Sequence, residues 1–218
     1  GIQKTEESFD ITLESGEVQS SKTVIYTAGA AHRKLAVPGS EKFENRGISY
    51  CASCDGAFYH GKDVAVIGGG NSALDDALLL SEICNKVYLI HRRAEFRGDA
   101  STLAKLKQKE NVEIIRNAKV QEITGNGKVE ILLLDTGTAL NIQGVFVAIG
   151  MIPQTEAVKN LVALDESGYI KAGEDGVTSV PGFFVAGDVR TKELRQIITA
   201  AADGANAANS AIQYIIRK

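Results

Sequence analysis

The sequence predicts an α/β protein built around a Rossmann-like parallel sheet. Two observations predict it. Strand-like and helix-like stretches alternate between residues 64 and 116, which is the pattern of parallel strands joined by covering helices. The first of those strands, Val64-Ala65-Val66-Ile67, also runs directly into Gly68-Gly69-Gly70-Asn71-Ser72-Ala73, a glycine turn at the start of a helix.

The elements follow in order. Phe9 to Leu13 alternates apolar and polar residues as a strand does, Ser15-Gly16 turns it, and the chain returns from Val18. Thr23 to Gly29 reads as a buried strand ending in a glycine turn. After Pro38-Gly39 come strand 64–67, a helix over about 71–84, strand 86–90, a helix over about 100–110 and strand 112–116. Lys119 to Thr124 and Lys128 to Leu134 flank Gly125-Asn126-Gly127, and Asn-Gly suits the positive φ angles of a tight hairpin. The strand-into-glycine pattern of 24–29 recurs at Val145 to Gly150 and at Phe183 to Asp188. These three strands are expected to share one sheet, so the chain from Gly144 onward is expected to rejoin its opening segment. An Ala-rich helix over about 195–216 closes the chain.

Composition bounds the function. The 218 residues carry 24 basic and 27 acidic side chains, a net charge of −3, with no basic excess of the kind nucleic acid attracts. No apolar run approaches the ~18 residues of a membrane span, and no signal peptide is evident. Three cysteines do not make a disulfide framework; they fit a reducing compartment with one reactive pair.

Three motifs carry chemistry. In Gly68-x-Gly70-x-x-Ala73 the first glycine permits the tight turn and the second admits a pyrophosphate. The small third residue lets helix and sheet pack closely. The diphosphate would rest on the helix N-terminus. At the end of the second strand, where NAD-binding units place an acid, stand His91-Arg92-Arg93 and then Arg97. Guanidiniums there can fork onto a 2′-phosphate, so the expected nucleotide is NADP rather than NAD. Finally, Cys51-Ala52-Ser53-Cys54-Asp55-Gly56 can close and reopen a small disulfide ring, with Asp55 placed to shuttle a proton. Zinc needs two further ligands, and Cys84, His32, His60 and His91 offer no second paired spacing, so no metal is expected. Cys84 reads as a buried small hydrophobe.

In this order, the CASCDG, GGGNSA and HRR-x-x-x-R segments, Val147 to Gly150, Gly187-Asp188 and Arg195-Gln196-Ile197-Ile198-Thr199-Ala200-Ala201 resemble bacterial low-molecular-weight thioredoxin reductases over essentially the whole chain. The resemblance implies a Rossmann-like NADPH domain inserted in an FAD domain, the two-dinucleotide-binding-domain flavoprotein type. Residues 1–35 would be a partial FAD domain, 36–143 the NADPH-binding and redox-dithiol domain, and 144–218 the C-terminal part of the FAD domain. It further implies that Cys54 exchanges electrons with the flavin, Cys51 with a protein disulfide, and Asp55 acts as general acid/base. Gly68, Gly70, Asn71, Ser72, Arg92, Arg93 and Arg97 would hold NADPH; Gly187, Asp188, Arg195, Gln196 and Ile197 would contact FAD. Thioredoxin or a similar disulfide protein would be the partner, the intact enzyme a homodimer, and the location cytoplasmic.

Family members begin with their own Gly-x-Gly-x-x-Gly turn about a hundred residues before the cysteine pair, and fifty residues precede Cys51 here. The N-terminal FAD-binding segment is therefore expected to be missing. The chain alone is expected to bind NADPH, retain little or no FAD, and turn over little. Two alternatives accompany this reading: the flavoprotein subunit of an alkyl hydroperoxide reductase system, and a non-catalytic NADP-binding fragment.

Overall fold

The computed structural model describes residues 1–217. The chain divides into two compact units, named by their place along the chain. An outer unit holds Gly1–Ala31 and the chain from Met151 onward, and an inner unit holds His32–Gly150.

In the outer unit, β1 (Ile2–Lys4), β2 (Phe9–Thr12) and β3 (Val18–Ser21) form an antiparallel meander. β4 (Val24–Tyr26) follows, then the short β5 (Ala30–His32), which ends at the junction of the units. The inner unit is a five-stranded parallel sheet built from β6 (Ile48–Ser49), β7 (Asp63–Gly68), β8 (Lys86–His91), β9 (Val112–Arg116) and β13 (Gly144–Ala148). Its order is β6-β13-β7-β8-β9. Helices α1 (Ala52–Asp55), α2 (Asn71–Ser81) and α3 (Ala100–Lys107) lie in the connections. Between β9 and β13, a small antiparallel sheet forms from β10 (Val120–Thr124), β11 (Ile131–Leu134) and β12 (Ala139–Asn141).

Both faces of the inner sheet are covered, which explains why its strands read as continuous apolar runs. Successive side chains alternate between faces. Val64 and Val66 of β7 join Ala73, Leu74, Ala77 and Leu80 of α2 and Leu106 of α3 in one core. Ala65 and Ile67 join Val120, Ile123, Leu132 and Leu134 of the small sheet in the other. β13 obeys the same alternation: Phe146 enters the α2 core, Val145 and Val147 the opposite one.

That alternation corrects one expectation. The segment from Gly144 to Gly150 does not join the strands at 24–29 and 183–186. β13 pairs in parallel with β7 over Gly144 to Ala148 and with β6 at Val145 and Phe146. The units therefore part at Ala31 and at Gly150 rather than at 35 and 143. The hairpin also differs in detail. β10 and β11 pair from Val120↔Leu134 to Thr124↔Ile131, so the connection is a six-residue loop, 125–130. Within it Gly127 has a positive φ of 78° and Asn126 does not.

The outer unit then continues through β14 (Met151–Pro153), β15 (Phe183–Val185) and α4 (Ile197–Ile216). β15 pairs in parallel with β4, Phe183↔Val24 to Val185↔Tyr26. Phe183 and Val185 pack with Phe9, Val158, Val162 and Ile170, while Phe184 and Ala186 meet Ala207 and Ala211 of α4. The Ala-rich sequence of α4 suits this close approach to the sheet.

Candidate functional site

The cysteine pair sits where β6 gives way to α1. Cys51 is the N-cap of α1, and the Cys54 amide donates to Cys51 Sγ at 3.2 Å. The two are joined by a disulfide with Cα atoms 5.3 Å apart. Cys54 is exposed and Cys51 half-buried, so the bond is open to a reactant. Ser49, buried at the end of β6, ties the turn together. Its Oγ accepts the Cys51 amide at 3.1 Å and donates to Asp55 Oδ2 at 2.6 Å. Phe58, just beyond, is 74% exposed. Cys84 is buried and free, and burial with the nearby Asp63 charge pushes its thiol up to about 11. It cannot compete as a thiolate near neutral pH.

The same unit holds a cleft of about 640 Å³ at the C-terminal ends of β7, β8 and β13. Gly68, Gly69, Gly70 and Ser72 form its floor, and Arg92 and Arg97 stand at one side. A side chain at Gly68 would strike the Ala148 carbonyl and the Ala73 methyl. One at Gly69 would run into the His91 ring. One at Gly70 would meet nothing within 4 Å, since it would enter the cleft. No side chain caps α2, whose N-cap is Gly70, so its first amides remain for an anion. His91 is part of the scaffold. Buried, it stacks on Phe96 with centroids 4.8 Å apart, and its Nε2 meets the Glu95 carbonyl at 3.0 Å. Burial lowers its pKa, and the surrounding arginines add to the effect against the opposing Glu95 hydrogen bond. Arg97 and Gly98 amides both donate to the Gly69 carbonyl, at 2.7 and 3.1 Å. The arginine loop is thereby fastened to the glycine turn.

In the outer unit, Thr27, Gly29, Ala186, Gly187, Asp188 and Ala200 line a pocket of about 230 Å³. Gly187 has a φ of +81°, a conformation that favours glycine. Asp203 on α4 holds that turn. It accepts the Gly187 amide at 3.0 Å, Arg190 at 2.6 Å and Lys192 at 2.7 Å. Burial by itself would raise the Asp203 pKa, but these donors and the Arg190 charge override it and bring the carboxyl to about 2.

Residues 2–204 match the model of the pyridine nucleotide-disulphide oxidoreductases. The chain belongs to that family. Among solved structures, the chain is similar to the thioredoxin reductase of Streptococcus pyogenes MGAS5005. The two are 39% identical with a TM-score of 0.92, over all of this chain and 72% of that one. The thioredoxin reductase of Lactococcus lactis is 36% identical with a TM-score of 0.71, over all of this chain and 74% of that one. Among curated relatives, a component of the alkyl hydroperoxide reductase of Staphylococcus aureus (strain MRSA252) is 44% identical over 221 residues. That match takes in 99% of this chain, which spans 44% of the length of the relative. The fold class expected from the sequence stands: α/β, of the two-dinucleotide-binding-domain type.

Within the chain, Gly68, Gly70, Ser72, Arg92 and Arg97 come together around the inner cleft, while Asn71 and Arg93 do not line it. Asn71 Oδ1 instead accepts the Asp99 amide at 2.8 Å, at the N-cap of α3. Gly187 and Asp188 line the outer pocket. Arg195 reaches it indirectly, through Nε to the Asp188 carbonyl at 3.4 Å, with its guanidinium 4.1 Å above the Tyr169 ring. Gln196 caps α4 in a capping box with Thr199, and Ile197 is 91% exposed. Sequence reasoning missed Ser49, Phe58, Arg33, Lys119 and Asp203. Arg33 and Lys119 line the inner cleft with the other two cations. A lone acid on an apolar Ala-rich helix was the available signal for Asp203.

The residues present fit both cofactors of the family. At the inner cleft, the open space over Gly70 and the four cations suit the phosphates of a pyridine dinucleotide. At the outer pocket, Asp188 Oδ1 is buried without a hydrogen-bond partner, an acceptor left for a ligand hydroxyl.

Proposed function

We propose that this chain carries the electron path of a flavin-dependent protein-disulfide reductase, from NADPH through FAD to the Cys51–Cys54 pair and on to a thioredoxin-like partner. The observation that carries the reading is the accessible Cys51–Cys54 disulfide on the same compact unit as the glycine-floored, arginine-sided cleft.

The residues divide the work. Gly68, Gly70 and Ser72 seat the diphosphate at the α2 N-terminus, while Arg92 and Arg97 take the 2′-phosphate. Arg93 and Asn71 support that edge from outside the cleft. FAD, when bound, supplies the two-electron relay between nicotinamide and dithiol; Gly187 and Asp188 hold it, and Arg195, Gln196 and Ile197 flank it. Cys54 takes the electrons from that side, Cys51 exchanges with the partner disulfide, and Asp55 moves the proton. Exposed Phe58 offers an apolar contact beside the dithiol, as a protein partner needs. Among the described residues no helix is long and apolar enough to cross a membrane. Location in the cytoplasm and a homodimeric assembly belong to the same proposal.

The curated relative favours a second reading, in which the chain serves as the flavoprotein side of an alkyl hydroperoxide reductase. One assay separates them. FAD-supplemented protein is given NADPH and either oxidised thioredoxin or an oxidised peroxidase-type disulfide protein. Thioredoxin-dependent NADPH oxidation that vanishes in Cys51→Ser and Cys54→Ser supports the first reading. Oxidation with the peroxidase alone supports the second, and oxidation with neither supports the remaining alternative, a non-catalytic NADP-binding fragment.

A further inference from the structure

We propose that Ser49 is a positioning residue for the dithiol, holding the Asp55 carboxylate in register with the turn that carries Cys51 and Cys54. The proposal rests on Asp55 acting as the proton carrier.

Ser49 is buried at 5% exposure, the last residue of β6, and two residues before the reactive pair. A buried hydroxyl needs partners, and this one has them on both sides of the reaction. It accepts the Cys51 amide at 3.1 Å, which fixes the N-cap cysteine. It donates to Asp55 Oδ2 at 2.6 Å, which fixes the carboxylate. The Cys51 carbonyl is also within reach at 3.4 Å, but a hydroxyl has one proton and the shorter, charge-assisted bond is the stronger. Asp55 has few other restraints. Its amide donates to the Cys51 carbonyl at 3.1 Å, and its neighbour Tyr59 is held by packing edge-on to Phe146. α1 is a single turn of four residues, too short to fix a side chain by its own packing. β6, by contrast, is anchored in the inner sheet by its pairing with β13. Ser49 therefore transmits the position of the paired strand end to the Asp55 carboxylate.

The chemistry can be followed with a small dithiol as reductant. A thiol of the reductant gives its proton to the carboxylate and, as the thiolate, opens the Cys51–Cys54 bond to form a mixed disulfide. The departing sulfur of the pair leaves as a thiolate and takes that proton. The reductant's second thiol then closes the reductant's own disulfide and releases the remaining cysteine with the second proton. Two electrons and two protons thus move from reductant to pair. A carboxylate held near the sulfurs speeds the transfer; one free to swing into solvent does not.

The test is the rate at which dithiothreitol reduces Cys51–Cys54, read by alkylation and mass spectrometry on the 218-residue chain, with no cofactor needed. Ser49→Ala is expected to slow reduction by about tenfold, the worth of one hydrogen bond to a charged group. Ser49→Thr, which keeps the hydroxyl, is expected to stay within about threefold of the parent. In an Asp55→Asn background, Ser49→Ala should add nothing, because the group it positions is gone. Ser49→Gly gives the same comparison if the alanine variant folds poorly. An equal slowing in both backgrounds would mean that Ser49 serves the backbone alone and would overturn the proposal. So would an unchanged rate in Ser49→Ala. If Asp55→Asn by itself leaves the rate untouched, the proton-carrier reading fails and takes this proposal with it. If Asp55→Asn slows reduction and Ser49→Ala does not, only the Ser49 role fails.

Discussion

Removing the Asp203 carboxylate should loosen the outer unit by taking away the acceptor on which a buried turn converges. Asp203 is 4% exposed and is, among the described residues, the acid bonded to both Arg190 and Lys192, whose side chains are 8% and 6% exposed. Its pKa moves from 3.8 to about 2. At ~1.36 kcal/mol per pH unit, that difference corresponds to stability on the order of 2 kcal/mol. The sign follows from the direction of the shift. The folded carboxyl is the stronger acid, so the contribution is complete above pH 3.8 and is lost as pH falls toward 2. Asp203→Ala costs more than the titration, because it leaves two buried cations facing each other and the Gly187 amide without its acceptor. A loss of about 3–5 kcal/mol is expected. Asp203→Asn keeps an acceptor for Gly187 and should lose roughly half as much. It should also lose the excess acid sensitivity of the parent as pH falls from 3.8 toward 2. Urea unfolding followed by far-UV circular dichroism gives the free energies, and hydrogen exchange over the β15–α4 peptides assigns the change to the outer unit. An Asp203→Ala protein within about 0.5 kcal/mol of the parent, or an Asn variant with the parent's acid sensitivity, would refute the reasoning.

Three further outcomes are expected. Calorimetry should show NADPH binding at least about tenfold more tightly than NADH, with Arg92→Ala plus Arg97→Ala erasing most of the difference, since charge-assisted contacts to a phosphate contribute ~1.5–3 kcal/mol each. Gly70→Ala should fold normally and weaken dinucleotide binding, whereas Gly69→Ala should cost about 1–3 kcal/mol of stability because its methyl meets the His91 ring; thermal melts and calorimetry on the two variants separate these effects. Non-reducing peptide mapping should find Cys51 linked to Cys54 and Cys84 free, and alkylation of the native protein at about pH 8 should spare Cys84, whose thiol stands at about 11.

What the sequence determined by itself is what local backbone geometry demands. A strand that must end in a glycine floor, a helix whose first amides no side chain caps, basic residues at the end of β8, and two cysteines one turn apart are each set by near neighbours. All were legible as spacings. What only the tertiary structure decided concerns partners far apart in the chain. The pattern at 145–150 is the same strand-into-glycine run as at 24–29 and 183–188. Periodicity cannot say which sheet takes it, and the pairing of Gly144 to Ala148 with β7 does. Nor can a run of arginines say which of them faces the cleft. The loop fastened to the Gly69 carbonyl puts Arg97 at the cleft with Arg92, leaves Arg93 outside, and brings Arg33 and Lys119 in from distant segments. Ser49 and Asp203 were hidden for the same reason: each acts through hydrogen bonds that exist only once a strand end or a helix face has been brought against a turn. Backbone requirements repeat with a local period and can be read along the chain, whereas a side chain's partners are fixed by packing, which the chain acquires only on folding.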